Sequence, residues 1–147
     1  MNIGKVNDEE CKIWTRKFSH RNDYKSIPLV MVHGMGAGLA MFTMNFDSLA
    51  KDRVVYAIDL PGFGRSTRIS FSSESGEVED QYIYCLEKWR EKVGVNKMNL
   101  LGHSFGGYLT ALYTIKYPQH IHQAILADPW GMTERPAQLA SKPNILG

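Results

Sequence analysis

The sequence predicts an α/β fold: a mostly parallel sheet with helices on both faces. Three observations predict it. Short continuous apolar runs at 28–32, 54–58, 97–101 and 121–127 suit strands buried on both faces. Stretches with helical spacing separate them, the alternation that builds a parallel sheet. Gly102-x-Ser104-x-Gly106 stands where the third run meets a helical stretch. A strand, a turn of one residue and a helix are the context that makes this motif a nucleophile elbow.

The elements follow in chain order. Residues 12–20 are rich in β-formers and compatible with a strand. Residues 21–26 are polar and read as a turn. Pro28 can occupy a strand's first position, ahead of Leu29-Val30-Met31-Val32. That strand ends in His33-Gly34-Met35-Gly36-Ala37-Gly38, whose glycines let backbone N–H groups approach a ligand. No Gly-Lys-Ser/Thr follows, so a phosphate-cradling loop is disfavoured. His33 reads as a structural imidazole that fixes the loop, because the base of the elbow fold arrives last in the chain.

Leu39, Phe42, Phe46 and Leu49 predict a first helix with one buried face. The second strand, 54–58, runs into Asp59-Leu60-Pro61-Gly62, a turn in which Asp59 orders the loop. Residues 67–76 read as a surface loop. A helix follows, with Val78, Tyr82, Leu86, Trp89 and Val93 on its buried face and Gly94 as its stop. Acidic residues near its start and Lys88, Arg90 and Lys92 near its end suit the helix dipole. The helix after the elbow runs through Leu109, Leu112 and Ile115 and halts before Pro118. The strand 121–127 ends in Asp128-Pro129-Trp130-Gly131, and the tail to Gly147 carries no clear element.

The elbow carries the chemistry. Ser104 sits at its tip, in a strained conformation with its hydroxyl exposed. Gly102 and Gly106 avoid a collision across the turn. The helix N-terminus favours negative charge, such as a tetrahedral oxyanion. In this fold one oxyanion donor is the N–H of the residue after the nucleophile, here Phe105. The other comes from the loop with Gly34, and the best candidate is the N–H of Met35. Asp128 is a candidate catalytic acid; the competing reading is an acid that orders the Pro129-Trp130-Gly131 turn. No metal or cofactor is called for.

Composition limits the partners. The chain has 147 residues and a net charge of +2, which makes no electrostatic case for nucleic acid. The basic residues near the start, Arg16 among them, read as a solvated face. Cys11 and Cys85 show neither metal nor redox spacing and read as free thiols of a reducing compartment. The N-terminus has no apolar core of a secretory signal. The expected location is intracellular and cytoplasmic, with peripheral attachment to lipid droplets, mitochondria or endoplasmic reticulum left open.

His33-Gly34, Asp59-x-Pro61-Gly62-x-Gly64-x-Ser66 and Gly102-His103-Ser104-x-Gly106-Gly107 together resemble the α/β-hydrolase superfamily. Ile13-Trp14-Thr15, Phe18-Ser19-His20, Lys116-Tyr117-Pro118 and Asp128-Pro129-Trp130-Gly131-x-x-Glu134-Arg135-Pro136 resemble its lipid-metabolising α/β-hydrolase-domain subfamily. That subfamily includes a lysophospholipase acting on N-acyl phosphatidylethanolamine. It also includes a co-activator of adipose triglyceride lipase, linked to lysophosphatidic acid acyltransfer. The co-activator holds Asn at the nucleophile position, so Ser104 places this chain nearer the hydrolases.

The resemblance implies a cap, later strands, a catalytic acid and a catalytic His after Trp130. No His-x-x-x-x-Asp spacing of the acyltransfer type occurs, since His122 to Asp128 is one residue too long. Residues 1–147 are therefore expected to form the N-terminal part of an α/β-hydrolase fold, an incomplete domain. Three functions follow as expectations. The first is a serine hydrolase of lipid or lysophospholipid esters, inactive as this fragment. The second is a non-catalytic regulator of a lipase partner or lipid-droplet surface. The third is a lysophosphatidic acid acyltransferase. On the same resemblance, 121–127 is expected to be left as a sheet edge.

Overall fold

A computed structural model describes residues 1–21, 25–74 and 76–132. The Glu134-Arg135-Pro136 motif, the tail, and residues 22–24 of the polar turn lie outside the described residues. The chain opens with a hairpin of β1 (Asn2–Val6) and β2 (Glu9–Lys12), paired antiparallel. Its turn residues, Asn7 and Asp8, are both left-handed, at φ 50° and 64°. Two such residues match the right-handed twist of a tight hairpin, and Asn and Asp tolerate the conformation.

Among the described residues, five strands form the main sheet: β3 (Thr15–Phe18), β4 (Leu29–Val32), β5 (Val55–Ile58), β6 (Met98–His103) and β7 (Ile121–Ala127). Their spatial order is β3-β5-β4-β6-β7, with β3 antiparallel and the other neighbours parallel. The four apolar runs are thus the four parallel strands. β7 lies at one end of this order, with a half-buried to exposed pattern along its length.

Between β4 and β5 the chain does not form the expected helix over 39–49. It makes a 3-10 segment, Leu39–Asn45, and then a single turn, α1 (Phe46–Leu49). Phe42 and Phe46 are buried as the spacing requires, whereas Leu39 and Leu49 are only partly so. Gly38 and Asn45 supply no side-chain cap. The Leu39 N–H is capped from the loop after β5, by Asp59 Oδ1 at 2.6 Å. The apolar spacing is thus met by a 3-10 segment and one α-turn in place of a continuous α-helix.

α2 (Glu77–Val93) and α3 (Phe105–Lys116) pack together on the opposite face of the sheet. Gly94 ends α2 in the left-handed conformation, at φ 77°. On α3 the buried large apolar side chains are Phe105, Leu109 and Tyr113, whereas Ile115 is exposed. A spacing of four holds one face of a helix, while the spacing of three read through Leu112 to Ile115 rotates off it.

Two cores result. Val30, Val32, Leu100, Trp89 and Tyr113 meet the hairpin's Ile3 and Val6 on the α2–α3 side. Leu29, Met31, Phe42, Phe46 and Val55 meet on the other. Helical segments therefore cover both faces. Cys11 of β2 and Cys85 of α2, distant in sequence, touch within the first core, both fully buried.

Candidate active site

The sheet order places the site. After β4 the chain leaves toward β5, and after β6 it leaves toward β7 on the other side. The loops at the carboxyl ends of β4 and β6 therefore diverge, and the crevice between them is where parallel sheets bind ligands. The 33–38 loop is one wall and the Ser104 elbow is the other.

Ser104 follows β6 directly and is the N-cap of α3, with φ 52° and ψ −117°. That conformation is costly for a residue with a Cβ and persists only when its surroundings over-determine it. They do so here through three backbone bonds. The Ser104 N–H donates to Ala127 O at 3.1 Å. The Ser104 carbonyl accepts from Tyr108 N at 3.1 Å and from Trp130 N at 3.0 Å. The Ser104 hydroxyl has no hydrogen-bond partner among the described residues, and the side chain is partly exposed.

The glycines have separate reasons. A Cβ on Gly102 would lie 2.0 Å from Gly106 O, so this glycine lets the elbow close. A Cβ on Gly106 would lie 2.4 Å from Val32 O and 2.5 Å from His33 O. The constraint on Gly106 is thus the neighbouring strand β4, and not a collision across the elbow as the sequence suggested. A Cβ on Gly34 would come within 3.0 Å of Ser104 Cβ, so the loop passes directly beside Ser104.

The two oxyanion candidates flank Ser104, one in the adjacent residue and one in the adjacent loop. Phe105 N–H opens α3, and Met35 N–H lies one residue past Gly34. Neither N–H donates to an acceptor among the described residues. Free donors at a helix start and in an adjacent loop are what a developing oxyanion needs.

His33 is fully buried and tied on both sides. Leu60 N donates to its Nε2 at 2.9 Å, so Nδ1 carries the proton and donates to Gly34 O at 2.7 Å. Burial pushes the imidazole below its ordinary pKa, which keeps it neutral. It is a strut between two loops. Asp59 is another, accepting from Leu39 N at 2.6 Å and Arg65 N at 2.8 Å.

The remaining described histidines are distributed unevenly. His120 lies in the 3-10 turn before β7 and His122 near the start of β7, beside the amino-terminal end of β6 and away from Ser104. His20 Nε2 contacts Asp47 O. His103 adjoins Ser104, with its Nδ1 buried, unpartnered and close to Gly34.

Asp128 is exposed and left-handed, at φ 46°. Its carboxylate holds neither a histidine nor the turn among the described residues. The turn is closed by Trp130 N on Ser104 O, a contact that the side-chain reading of Asp128 missed. Trp130 also meets Phe105 and Tyr108 edge-on at 6.0 Å each. The Asp-Pro-Trp-Gly motif was its sequence signal, but its backbone role depends on where β7 delivers it.

Residues 27–145 match the family model described as the alpha/beta hydrolase fold. The 1-acylglycerol-3-phosphate O-acyltransferase ABHD5 of Homo sapiens is 51% identical over 125 residues, covering 85% of this chain and 36% of that protein. The (lyso)-N-acylphosphatidylethanolamine lipase of Homo sapiens is 46% identical over 125 residues, with the same two coverages of 85% and 36%. The chain thus spans about a third of the length of these relatives. Among solved structures, a bacterial membrane phospholipase A is matched at TM-score 0.76 and 26% identity, over 92% of this chain and 41% of that one. A probable hydrolytic enzyme from Pseudomonas aeruginosa reaches TM-score 0.79 at 22% identity, over 88% of this chain and 40% of that one, a likeness of fold.

Proposed function

Because this chain belongs to the alpha/beta hydrolase fold family, we propose that its protein is a serine hydrolase of lipid acyl esters, of the lysophospholipase type. The observation that carries the reading is Ser104 itself: a hydroxyl without a hydrogen-bond partner among the described residues, on a left-handed residue between strand and helix. Ser104 Oγ attacks the acyl carbonyl and forms the acyl–serine bond. The N–H groups of Met35 and Phe105 receive the oxyanion. The hydroxyl proton passes to a general base and then to the leaving alkoxide, and water releases the acid. Of the described histidines only His103 adjoins the nucleophile. The reading therefore takes 1–147 as part of a catalytic domain whose base and orienting acid come from outside the described residues. Its substrate would reach it from a membrane or lipid-droplet surface.

The test is a chimera in which residues 27–132 replace the matching segment of the human lipase. Its substrate is a lyso-N-acylphosphatidylethanolamine. Turnover that falls by about a thousandfold or more in Ser104→Ala supports the reading. Equal turnover in the folded Ala variant contradicts it.

Acyl transfer is the second reading, favoured by the 51% identity to the acyltransferase. Product analysis with lysophosphatidate and acyl-CoA separates the two: phosphatidate marks transfer, and free fatty acid marks hydrolysis. A folded chimera with neither product would point to a non-catalytic regulator.

A further inference from the structure

A cleft of about 470 Å³ lies beyond the 33–38 loop, and neither Ser104, Met35 nor Phe105 lines it. Small-molecule sites typically span about 300–1,000 Å³, so its size is suitable. Strand alternation explains its composition. Trp14, Arg16 and Phe18 are two residues apart along the edge strand and line this cleft together. Thr15 points the other way, where Trp89 Nε1 donates to its hydroxyl at 2.9 Å. Phe18 stacks on Phe46 at 3.8 Å, and Leu39 completes an apolar floor.

Two guanidinium groups border that floor. Arg65 lies over the Trp14 ring at 4.5 Å, and Arg16 over the Phe18 ring at 5.6 Å. Neither guanidinium has an ion pair or a hydrogen-bond acceptor among the described residues. Three other arginines are already engaged. Arg53 is paired with Asp52, Arg90 with Glu87, and Arg68 donates to Gly64 O and Ser66 O. The one carboxylate lining the cleft, Asp59, is already held by the N–H groups of Leu39 and Arg65. Two planar cations held over rings, with their donors free, suit an oxyanion that can be bonded in bidentate fashion.

We infer that this cleft binds an amphipathic oxyanion, a molecule with an apolar body on the aromatic floor and a phosphate head between Arg16 and Arg65. The site is separate from the elbow and does not depend on Ser104 being a nucleophile. The phosphate could be borne by a lipid or be free in solution, and charge complementarity with an apolar floor favours the lipid source.

The test is binding to the purified chain, followed by the fluorescence of Trp14, with Trp14→Phe identifying the responding ring. Three probes are used: decanoyl lysophosphatidate below its micellar concentration, decanoyl glycerol, and inorganic phosphate. Saturable binding of lysophosphatidate is expected, weakened about tenfold or more in Arg16→Gln/Arg65→Gln, the loss of a charge-assisted contact. Both arginines are exposed, and circular dichroism verifies that the variant keeps the fold. The uncharged glyceride binding as tightly, or the double variant binding lysophosphatidate unchanged, would overturn the inference. Inorganic phosphate giving the same affinity as the lipid would overturn the amphipathic assignment. Should the Trp14 signal be silent, calorimetric titration with the same probes measures the same affinities and decides between these outcomes.

Discussion

Ser104 keeps a backbone conformation that glycine would adopt without strain. Ser104→Gly is therefore expected to stabilise the fold by about 1 kcal/mol, the relief of left-handed strain less the entropy glycine adds. Urea unfolding of the two proteins reads the difference, and a clear destabilisation would mean that no strain is stored at the elbow. Gly102→Ala should do the reverse. Its new Cβ would meet the carbonyl of Gly106 at 2.0 Å. Backbone cannot step aside cheaply, so a loss of about 3 kcal/mol or more is expected in the same measurement. These residues were legible in the sequence because a Gly-x-Ser-x-Gly match has one geometry when a strand precedes it and a helix follows. The reason for Gly106 was not legible. It lies in the carbonyls of Val32 and His33, which only the sheet brings near. The adjacency of Cys11 and Cys85 was hidden for the same reason, since spacing along a chain carries no information about a hairpin folding onto a helix.

At the scale of elements, α2 carries a buried ion pair that ties it to α3. Arg90 donates to Glu87 at 2.6 Å and 2.9 Å, and Tyr113 of α3 donates to the same carboxylate. The Arg90 guanidinium first, then the Tyr113 hydroxyl, hold the Glu87 carboxyl below its usual pKa. A carboxyl depressed in the folded state contributes stability that is present above its unfolded pKa and lost as pH falls through the folded one. Thermal melting should therefore drop as pH falls below the ordinary carboxylate range. Glu87→Gln should cost about 3 kcal/mol near neutral pH and flatten that acid limb. An unchanged acid limb in the variant would remove Glu87 from the explanation. The helices and parallel strands were readable from periodicity and apolar runs. The hairpin β1–β2 was not, because its strands are mostly charged and polar, with Ile3, Val6 and Cys11 as their buried residues. Its Asn7-Asp8 turn was the one available signal. The segment 39–49 had the right apolar spacing but no local side-chain cap, and it takes a 3-10 form whose first N–H is held by Asp59.

At the scale of the whole molecule, β7 ends the sheet among the described residues. Its sequence is apolar, without proline, and its residues are exposed or half-buried. Leu101 and Ile125 on that side are only partly covered. Such an edge recruits other strands. A polypeptide of residues 1–147 alone is expected to associate as its concentration rises, which size-exclusion chromatography reads. A monomer with one cooperative melt well above physiological temperature would contradict this. The same polypeptide should hydrolyse a p-nitrophenyl ester near background, because an unactivated serine is a poor nucleophile. The central claim is that the fold aims Ser104 as a nucleophile at the crevice between the β4 and β6 loops. Fluorophosphonate labelling of the chimera with the human lipase, read by peptide mass spectrometry, tests it most directly. The adduct is predicted on Ser104 and should be absent in Ser104→Ala. A folded chimera labelled elsewhere, or left unlabelled while the parent lipase is modified, would contradict the claim.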